Sequence, residues 1–308
     1  MTRQSAFAAP GRFWRGNLHC HSNVSDGALP PEEVCRRYRA EGYDFLALTD
    51  HFVGAYGYPL TDTTAFRTAD FTTIRGAELH SGAMSNGDLW HILAVGLPAD
   101  FAPSNSPDFA PRPDQETGAE LAARAAAAGA FVAIAHPHWS GLTEADAQGI
   151  AAAHAIEIYN NNCEVDSARG HGGPLADLLL TAGRRLNLIA TDDAHFHAPD
   201  AFGGWVMVRA PENEPEALVA ALKRGDFYAS QGPEIHDFTV EDGVVRVKCS
   251  AAARVFALGR GVSANGVHGA SMTRAEIRLR GRRATPWLRV VVVDAAGRMA
   301  WTNPVWLD

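Results

Sequence analysis

Three scarce features of the sequence each argue against a class of protein. There are four cysteines in 308 residues, at positions 20, 35, 163 and 249, and none forms a Cys-x-x-Cys pair. This pattern argues against a disulfide framework or a cysteine zinc site and favours free buried thiols. No apolar run reaches roughly 18 residues, the length expected of a membrane-spanning helix, and residues 1–16 lack the apolar stretch of a signal peptide. We therefore expect a cytoplasmic protein that does not enter a membrane.

Positive charge is also scarce. Lys and Arg total 27 against 35 Asp and Glu, which gives a formal net charge of -8. Proteins that bind nucleic acid usually carry a basic face, so a nucleic-acid duplex is not the expected partner. We expect a small-molecule substrate, and nothing in the composition indicates an oligomeric state. Histidine stands out instead, since 11 of the 13 histidines precede residue 200.

Between residues 17 and 209, short apolar runs alternate with helical patterns. The predicted strands are 17–21, 44–50, 72–78, 89–96, 131–136, 155–159, 186–191 and 204–208. The predicted helices are 31–41, 116–128, 143–152 and 174–182. Alternation of this kind favours a largely parallel sheet, and seven or eight such units favour closure into a barrel. Segments 53–70 and 98–115, rich in Gly, Pro, Thr or Ser, are predicted surface loops, and long loops of this kind often act as lids.

The pattern changes after residue 210. One helix is predicted at 215–224, followed by β-type runs at 237–240, 244–249, 255–258, 275–279 and 288–293. We therefore predict an α/β domain over residues 1–234 and a small all-β domain over 235–308, packed on the first.

Polar residues with metal-binding chemistry follow strand after strand. His19 and His21 stand two apart in a predicted strand and so share one face. Later strands end in Asp50-His51, Glu78-Leu79-His80, His136-Pro137-His138 and Asp192-Asp193-Ala194-His195, and His91 lies in another predicted strand. Solvation of strand ends explains any one of these but explains the whole set poorly. Imidazole and carboxylate in this number predict more than one metal ion.

These motifs resemble the PHP (polymerase and histidinol phosphatase) superfamily. The resemblance runs through H-x-H-S-x(3)-D-G, L-x-L-T-D-H, G-x-E, A-H-P and D-D-A-H over about residues 17–200. A closer resemblance is to the CehA/McbA-like metallohydrolase branch, through the segments 135–142, 156–160, 225–235 and 300–304. The resemblance implies a distorted (β/α)7 barrel of PHP type with up to three metal ions.

The resemblance also implies the ligand sets. The first ion would be held by His19, His21, Glu78 and Asp193. Glu78 would bridge to the second ion, held also by His91 and His136. The third would be held by Asp26, His51 and His195. Two or three divalent ions of manganese, iron or zinc fit such mixed shells, and Glu78 and Asp193 are the predicted catalytic residues.

Some placements stay open at this stage. His80, two residues beyond Glu78, points the same way in a strand and is an alternative to His91. His138 is predicted to orient a ligand or contact the substrate, and Arg169 and His171 are further candidate substrate contacts from a glycine-containing loop. Asp192 is expected to face away from Asp193 and to accept hydrogen bonds.

The charge of a filled site indicates the reaction. Three divalent ions carry about +6, and three carboxylates and a bridging hydroxide leave about +2, an excess that suits an anionic substrate. We predict hydrolysis of phosphate mono- or diesters, with the hydroxide between the ions as nucleophile. The alternatives are hydrolysis of carbamates, amides or esters by the same ions, and a metal-binding module without catalysis.

Overall fold

A computed structural model describes residues 2–3, 5–278 and 285–307. The ends of the two predicted domains at residues 1 and 308, and the last residue of the predicted strand 275–279, lie outside the described residues. The chain has a mixed α/β fold that is rich in strands. The strands are β1 (Thr2–Arg3), β2 (Arg12–Asn17), β3 (Phe45–Leu48), β4 (His51–Phe52), β5 (Thr72–Leu79), β6 (Ile92–Val95), β7 (Phe131–Ile134), β8 (Ala155–Asn160), β9 (Asn187–Thr191), β10 (Trp205–Ala210), β11 (Phe227–Ser230), β12 (Ile235–Glu241), β13 (Val244–Gly259), β14 (Ala264–Arg278), β15 (Trp287–Val293), β16 (Met299–Thr302) and β17 (Val305–Trp306). The α-helices are α1 (Pro31–Ala40), α2 (Gly118–Ala127), α3 (Glu144–Gly149), α4 (Asn161–Ser167), α5 (Gly173–Thr181) and α6 (Pro215–Arg224).

The strands of the first two-thirds of the chain, from β2 to β9, lie side by side in one row. Strands β2, β3 and β5 are parallel neighbours, and so are β7, β8 and β9. Between them, β6 runs antiparallel to both β5 and β7. The expectation of a largely parallel sheet therefore fails at β6. No helix separates β5 from β6, and a short connection of this kind returns the chain in the opposite direction.

The two ends of this row meet. The backbone N–H of Asp193, just after β9, donates to the carbonyl of His19 at 2.8 Å, and the N–H of His21 donates to the carbonyl of Ala194 at 2.9 Å. These bonds join the segment after β9 to the segment after β2. The polar residues that follow the two strands are thereby held side by side.

Buried apolar strands explain why the row is stable. All residues of β3, β6 and β7 are buried, and they form continuous apolar runs. Helix α2 packs against the sheet through its buried residues Leu121, Ala122 and Ala125. It begins at a capping box, in which Thr117 accepts from the N–H of Glu120 and the Glu120 carboxylate accepts from the N–H of Thr117.

Several element bounds differ from the sequence expectation. Strand β2 ends at Asn17, because residues 12–17 pair with β10 and β3, so His19 and His21 lie in an extended segment beyond the strand. Helix α3 stops at Gly149 rather than at residue 152, and helix α4 was not predicted at all. The two predicted strands 244–249 and 255–258 form the single strand β13, which carries register shifts between Lys248 and Arg254.

The C-terminal strands are antiparallel and connected to earlier parts of the chain. Strand β13 lies between β12 and β14 and also pairs with β15. Strand β1 pairs with β12, and β11 pairs with β16. A cluster of buried side chains joins Phe7 and Tyr228 to Phe238, Val255 and Val292. The predicted boundary at residue 234 thus falls between β11 and β12, where the two parts share a sheet.

All four cysteines are free and buried, as the sequence predicts. None of the helices in the described part of the chain has the length and hydropathy that spanning a bilayer requires.

Candidate metal centre

The nine predicted ligands lie together in one pit, although they come from positions spread between residues 19 and 195. The pit is a cavity of about 390 Å³. Of these nine side chains, Asp26, His51, Glu78, His91, His136, Asp193 and His195 line it. The side chains of His19 and His21 are fully buried and contact Asp193 at its base. We call this cavity and the side chains around it the pit.

Glu78, near the end of β5, is the central carboxylate of the pit. Its Oε1 lies 2.8 Å from Nδ1 of His91 and 3.0 Å from Nε2 of His136. Its Oε2 lies 2.6 Å from Nδ1 of His51 and 3.6 Å from Nε2 of His21. Each carboxylate oxygen therefore faces a different group of imidazoles, the arrangement that a bridging ligand requires.

Asp193 faces the pair of histidines that follows β2. Its Oδ1 lies 3.0 Å from Nε2 of both His19 and His21. Asp193 and His136 both have positive φ, at 56° and 22°. This region is uncommon for residues other than glycine, and such strain is found at functional sites, where the surrounding structure fixes the residue. Here it turns both side chains into the pit.

The outer rim of the pit is formed by Asp26, His51 and His195. The Asp26 carboxylate lies 3.3 Å from Nε2 of His51 and 3.5 Å from Nε2 of His195. With His21, these residues form one group whose candidate ligand atoms all lie within 4.8 Å of one another. The Asp26 side chain is 38% exposed, whereas that of Glu78 is 1% exposed. The rim is therefore open to solvent and the centre is not.

His80 enters the site as well, so the alternative left open by the sequence becomes an addition. His91 and His80 both approach Glu78, and His80 forms a further candidate group with His51 and Glu78. Its Nε2 lies 2.9 Å from Nδ1 of His51, and its Nδ1 lies 3.1 Å from the carbonyl of Trp90. Donation to that carbonyl would place the proton on Nδ1 and leave the Nε2 lone pair facing the pit.

Glu157 is a candidate functional residue to which the sequence analysis assigns no role. It is fully buried in β8, a strand that supplies no predicted ligand. Its Oε1 accepts from Thr191 Oγ1 at 2.6 Å and lies 2.8 Å from His19 Nδ1. Its Oε2 accepts from the N–H of His136 at 2.6 Å and from Asn160 Nδ2 at 2.9 Å. The signal in the sequence was a lone carboxylate inside an apolar strand.

Glu157 thereby holds two predicted ligands, His19 and His136, directly. A carboxylate accepts hydrogen bonds only, so its partner atom on His19 carries the proton and Nε2 is left free to bind a cation. Asn160 extends the network, because its Nδ2 also donates to Oδ2 of Asp193 at 3.1 Å. On the other side of the pit, Ser140 Oγ lies 2.9 Å from Nδ1 of His136.

The electrostatics favour an ionised Glu78 but divide the imidazoles around it, because burial lowers the pKa of some, whereas the nearby carboxylates outweigh burial and raise the pKa of His19, His51 and His136. Burial raises the pKa of Glu78, but the charges of His51, His91 and His19 outweigh it and hold that pKa well below its usual value. Burial and the charges of His51 and His195 lower the pKa of His21 to about 3. Burial, with the charge of His91, lowers the pKa of His80 to about 3. Burial lowers the pKa of His51 as well, but the charges of Glu78 and Asp26 outweigh it and raise that pKa to about 10. An ionised carboxylate and a neutral imidazole are the forms that bind divalent cations, so a cation bound at His51 would displace a proton.

Two further buried acids serve the scaffold instead. Asp50 accepts from the backbone N–H and hydroxyl of Ser22, from Ser25 Oγ and from Thr61 Oγ1, and so organises the turn after His21. Asp192 points away from the pit. Its carboxylate accepts from Tyr38 Oη and from the backbone N–H groups of residues 202, 203 and 204.

The three predicted substrate contacts lie outside the lining of the pit. His138 and His171 are exposed and line a neighbouring cavity of about 470 Å³ with Leu142 and Leu175. The Arg169 side chain is exposed just after α4. A role for these residues in binding substrate stays a prediction, and it applies to parts of a substrate beyond the pit.

Comparison with known proteins finds one family match over part of the chain and one short match to a curated protein. The PHP domain model matches residues 17–164. A stretch of 35 residues is 54% identical to a 5'-3' exoribonuclease of Haemophilus influenzae, covering 11% of this chain and 13% of that protein. The chain thus spans a small fraction of the length of that curated relative.

Two solved structures match this chain over much of its length, and the first has a similar fold. A two-domain protein of Bacteroides vulgatus containing a predicted PHP-like metal-dependent phosphoesterase matches 96% of this chain and 97% of its own, with 16% identity and a TM-score of 0.54. An amidohydrolase of Chromobacterium violaceum matches 60% of this chain and 89% of its own, with 18% identity and a TM-score of 0.44. The chain has a mixed α/β fold and a cluster of His, Glu and Asp side chains that could bind metal ions. The domain match supports the PHP superfamily for residues 17–164.

Proposed function

We propose that this chain is a metal-dependent hydrolase that cleaves phosphate mono- or diesters in the pit. The observation that carries the proposal is the position of Glu78, whose two carboxylate oxygens face separate groups of imidazoles. The PHP match and the clustered His, Glu and Asp residues fit a hydrolase of this class. The substrate is a small anionic molecule.

Two buried atoms of the pit support the binding of divalent cations by its side chains. His19 Nε2 and Glu78 Oε2 are buried and have no hydrogen-bond partner among the described residues. Yet His19 Nε2 lies 3.0 Å from an oxygen of Asp193, and Glu78 Oε2 lies 2.6 Å from Nδ1 of His51. Polar atoms that are buried without partners are costly in a native fold. A cation shared by these close but unbonded pairs removes that cost.

We assign the ligands of two or three ions from the same distances. The inner part of the pit holds His19, His21, Glu78, Asp193, His91 and His136, and the outer rim holds Asp26, His51 and His195. Manganese, iron and zinc all accept such a mixture of imidazole and carboxylate. When bound, these ions would supply Lewis-acid charge and lower the pKa of a coordinated water from 15.7 to about 7.

The chain's own part in the reaction is positional. Glu78 and Asp193 hold their charges against the imidazoles around them, and Glu157 keeps His19 in the tautomer that leaves Nε2 free. With three carboxylates against two or three divalent ions, the pit attracts an anion, and a phosphoester meets this requirement better than a neutral amide. Preorganised charge of this kind is usually the largest contribution to catalysis.

The finer description of the fold belongs to the same proposal. We describe residues 1–234 as a distorted (β/α)7 barrel of the PHP type and residues 235–308 as a small β domain. The hydrogen bonds between the segments after β9 and β2 support closure of the strand row. The antiparallel β6 is the distortion.

A substrate panel tests the reaction. Protein loaded with manganese, iron or zinc is assayed on 4-nitrophenyl phosphate, bis(4-nitrophenyl) phosphate and a 4-nitrophenyl carbamate, which share one leaving group. We expect kcat/KM to be highest for a phosphate ester, and the His136→Gln variant to lose this activity. His236→Gln is the matched control, because His236 lies outside the pit with a side chain 51% exposed. Preference for the carbamate would replace phosphoester hydrolysis with carbonyl chemistry at the same ions.

A further inference from the structure

Two exposed aromatic side chains stand at the pit. Phe109 is 41% exposed and Trp139 is 44% exposed, and both line the same cavity as the metal-ligand candidates. Every other Phe, Trp and Tyr side chain whose burial the structure describes is half-buried or buried. Large apolar side chains exposed in a concave site mark a place where a ligand covers them.

Each ring rests on different candidate ligands. The Phe109 ring lies 5.1 Å from the ring of His51 and 5.2 Å from that of His80. The Trp139 ring lies 4.9 Å from the ring of His136 and 5.7 Å from that of His91. Phe109 therefore stands against the side of the pit that includes the rim, and Trp139 against the inner part.

The backbone around both rings is held in place. Trp139 follows β7 in a turn where the N–H of Ser140 donates to the carbonyl of His136 at 3.0 Å. Phe109 belongs to the loop between β6 and α2, within the segment 98–115 that is predicted as a surface loop and possible lid. The carbonyl of Ser106 in that loop accepts two hydrogen bonds from the segment after β4. The donors are the N–H of Gly54, at 2.9 Å, and Tyr58 Oη, also at 2.9 Å. The rings are thus presented by anchored segments.

The rest of the cavity lining indicates the charge of what lies beside the rings. Apart from the predicted ligands and the two rings, the lining residues are Asn162, Cys163 and Asp166. None of these is cationic, and Asp166 is exposed and acidic. A group next to the rings would therefore be uncharged or positive, while the anionic group faces the candidate ions.

We propose that Phe109 and Trp139 form an aromatic subsite that binds a planar ring of the substrate next to the scissile group. The substrate class is then an ester of an aryl, arylmethyl or nucleoside group rather than of a simple alkyl alcohol. Flat rings stack on aromatic side chains, and such stacking does not require one particular ring. This inference rests on the proposed function only for the phosphate in the pit.

A matched pair of substrates tests the subsite. Benzyl phosphate and cyclohexylmethyl phosphate are similar in size and in leaving-group basicity, but only the first has a planar aromatic ring. We expect the metal-loaded protein to favour benzyl phosphate in kcat/KM by about 3- to 10-fold, the range of an aromatic pair. In Trp139→Leu and Phe109→Leu the preference should fall towards equality, and Trp139→Phe should restore part of it. Leu178→Ala, at a side chain 51% exposed on α5, is the control.

A second readout separates this inference from the proposed reaction. Calorimetric binding of benzylphosphonate and cyclohexylmethylphosphonate to the metal-loaded protein needs no turnover. Preferential binding of the benzyl compound that Trp139→Leu abolishes, without hydrolysis of either phosphate, would keep the subsite and overturn phosphoester hydrolysis. Equal binding and equal turnover of the two compounds, or a preference unchanged in both leucine variants, would overturn the subsite.

Discussion

The inner part of the pit and its outer rim use the same ligand chemistry but are built differently. Inner residues such as Glu78 and His19 are fully buried, and a buried carboxylate behind them fixes His19. At the rim, Asp26 comes from a loop and its side chain is 38% exposed. A ligand that is packed and hydrogen-bonded loses little freedom when it binds an ion, whereas a loop ligand must be ordered at that moment. We expect tight ion binding inside and weaker, exchangeable binding at the rim.

The largest effect is expected for Glu78→Gln, which would remove the difference in ion binding between the inner part of the pit and its rim. Glutamine keeps the shape but loses the charge that both groups of imidazoles face. We expect kcat/KM to fall by about 10²- to 10³-fold, the range for loss of one preorganised charge-stabilising group. Metal content should fall by more than one ion per chain in elemental analysis. Glu276→Gln, at a side chain 64% exposed, is the control.

A loss at Glu78 no greater than the loss at a rim ligand would contradict the central position. So would a variant that retains all its metal, because the bridge would then be replaceable.

Glu157→Gln comes next and addresses the inner part alone. Both oxygens of Glu157 accept from donors: Thr191 and His19 on one side, His136 and Asn160 on the other. Whichever way the amide of glutamine turns, its NH₂ group faces donors. We expect inner-site metal affinity to fall about 10- to 100-fold, the usual cost of losing a group that orients a ligand, as measured by metal titration with a competing chelator.

The control for that variant is Glu164→Gln on the neighbouring helix α4. Its carboxylate accepts from the N–H of Gly170 at 3.0 Å, a hydrogen bond that an amide oxygen can still accept. Metal affinity equal to that of the unchanged protein in Glu157→Gln would reduce Glu157 to a packing residue.

Asp26→Asn should have a smaller effect, confined to the rim. Asparagine removes the charge between His51 and His195 while the inner residues keep their contacts. We expect the loss of about one ion per chain, and a fall in kcat/KM of about tenfold, less than for a buried bridging charge. Added metal should restore part of the activity. Asp70→Asn, 66% exposed, is the matched control.

If Asp26→Asn instead emptied the inner part as well, the two parts of the pit would be one cooperative site. The comparison between them would then be wrong.

The sequence predicted which side chains lie together in the pit better than it predicted the fold that holds them. Ligand residues carry a short local signature, such as His-x-His or Asp-Ala-His, that survives whatever the backbone does around it. The antiparallel direction of β6 and the early end of β2 depend on which strands pair, and pairing is decided by tertiary contacts rather than by local pattern. Glu157 lies in segment 156–160, which contributes to the resemblance, but only its position between His19 and His136 indicates its role.

The smallest effect on activity is expected for Asp192→Asn, next to a proposed ligand. Asp192 accepts four hydrogen bonds from Tyr38 and the backbone of residues 202–204, and none of them reaches the pit. Asparagine can keep the pair from Gly203 and Gly204 but places its NH₂ group against the N–H of Phe202. We expect a loss of about 1–3 kcal/mol in unfolding free energy, the usual cost of a buried donor left unpaired, measured by urea denaturation.

Metal content and kcat/KM should stay within about twofold of the unchanged protein, because pit geometry depends on Asp193, whose own contacts are kept. Loss of metal in this variant together with unchanged stability would mean that Asp192 acts on the ions, and that the division between ligand and scaffold carboxylates is misdrawn.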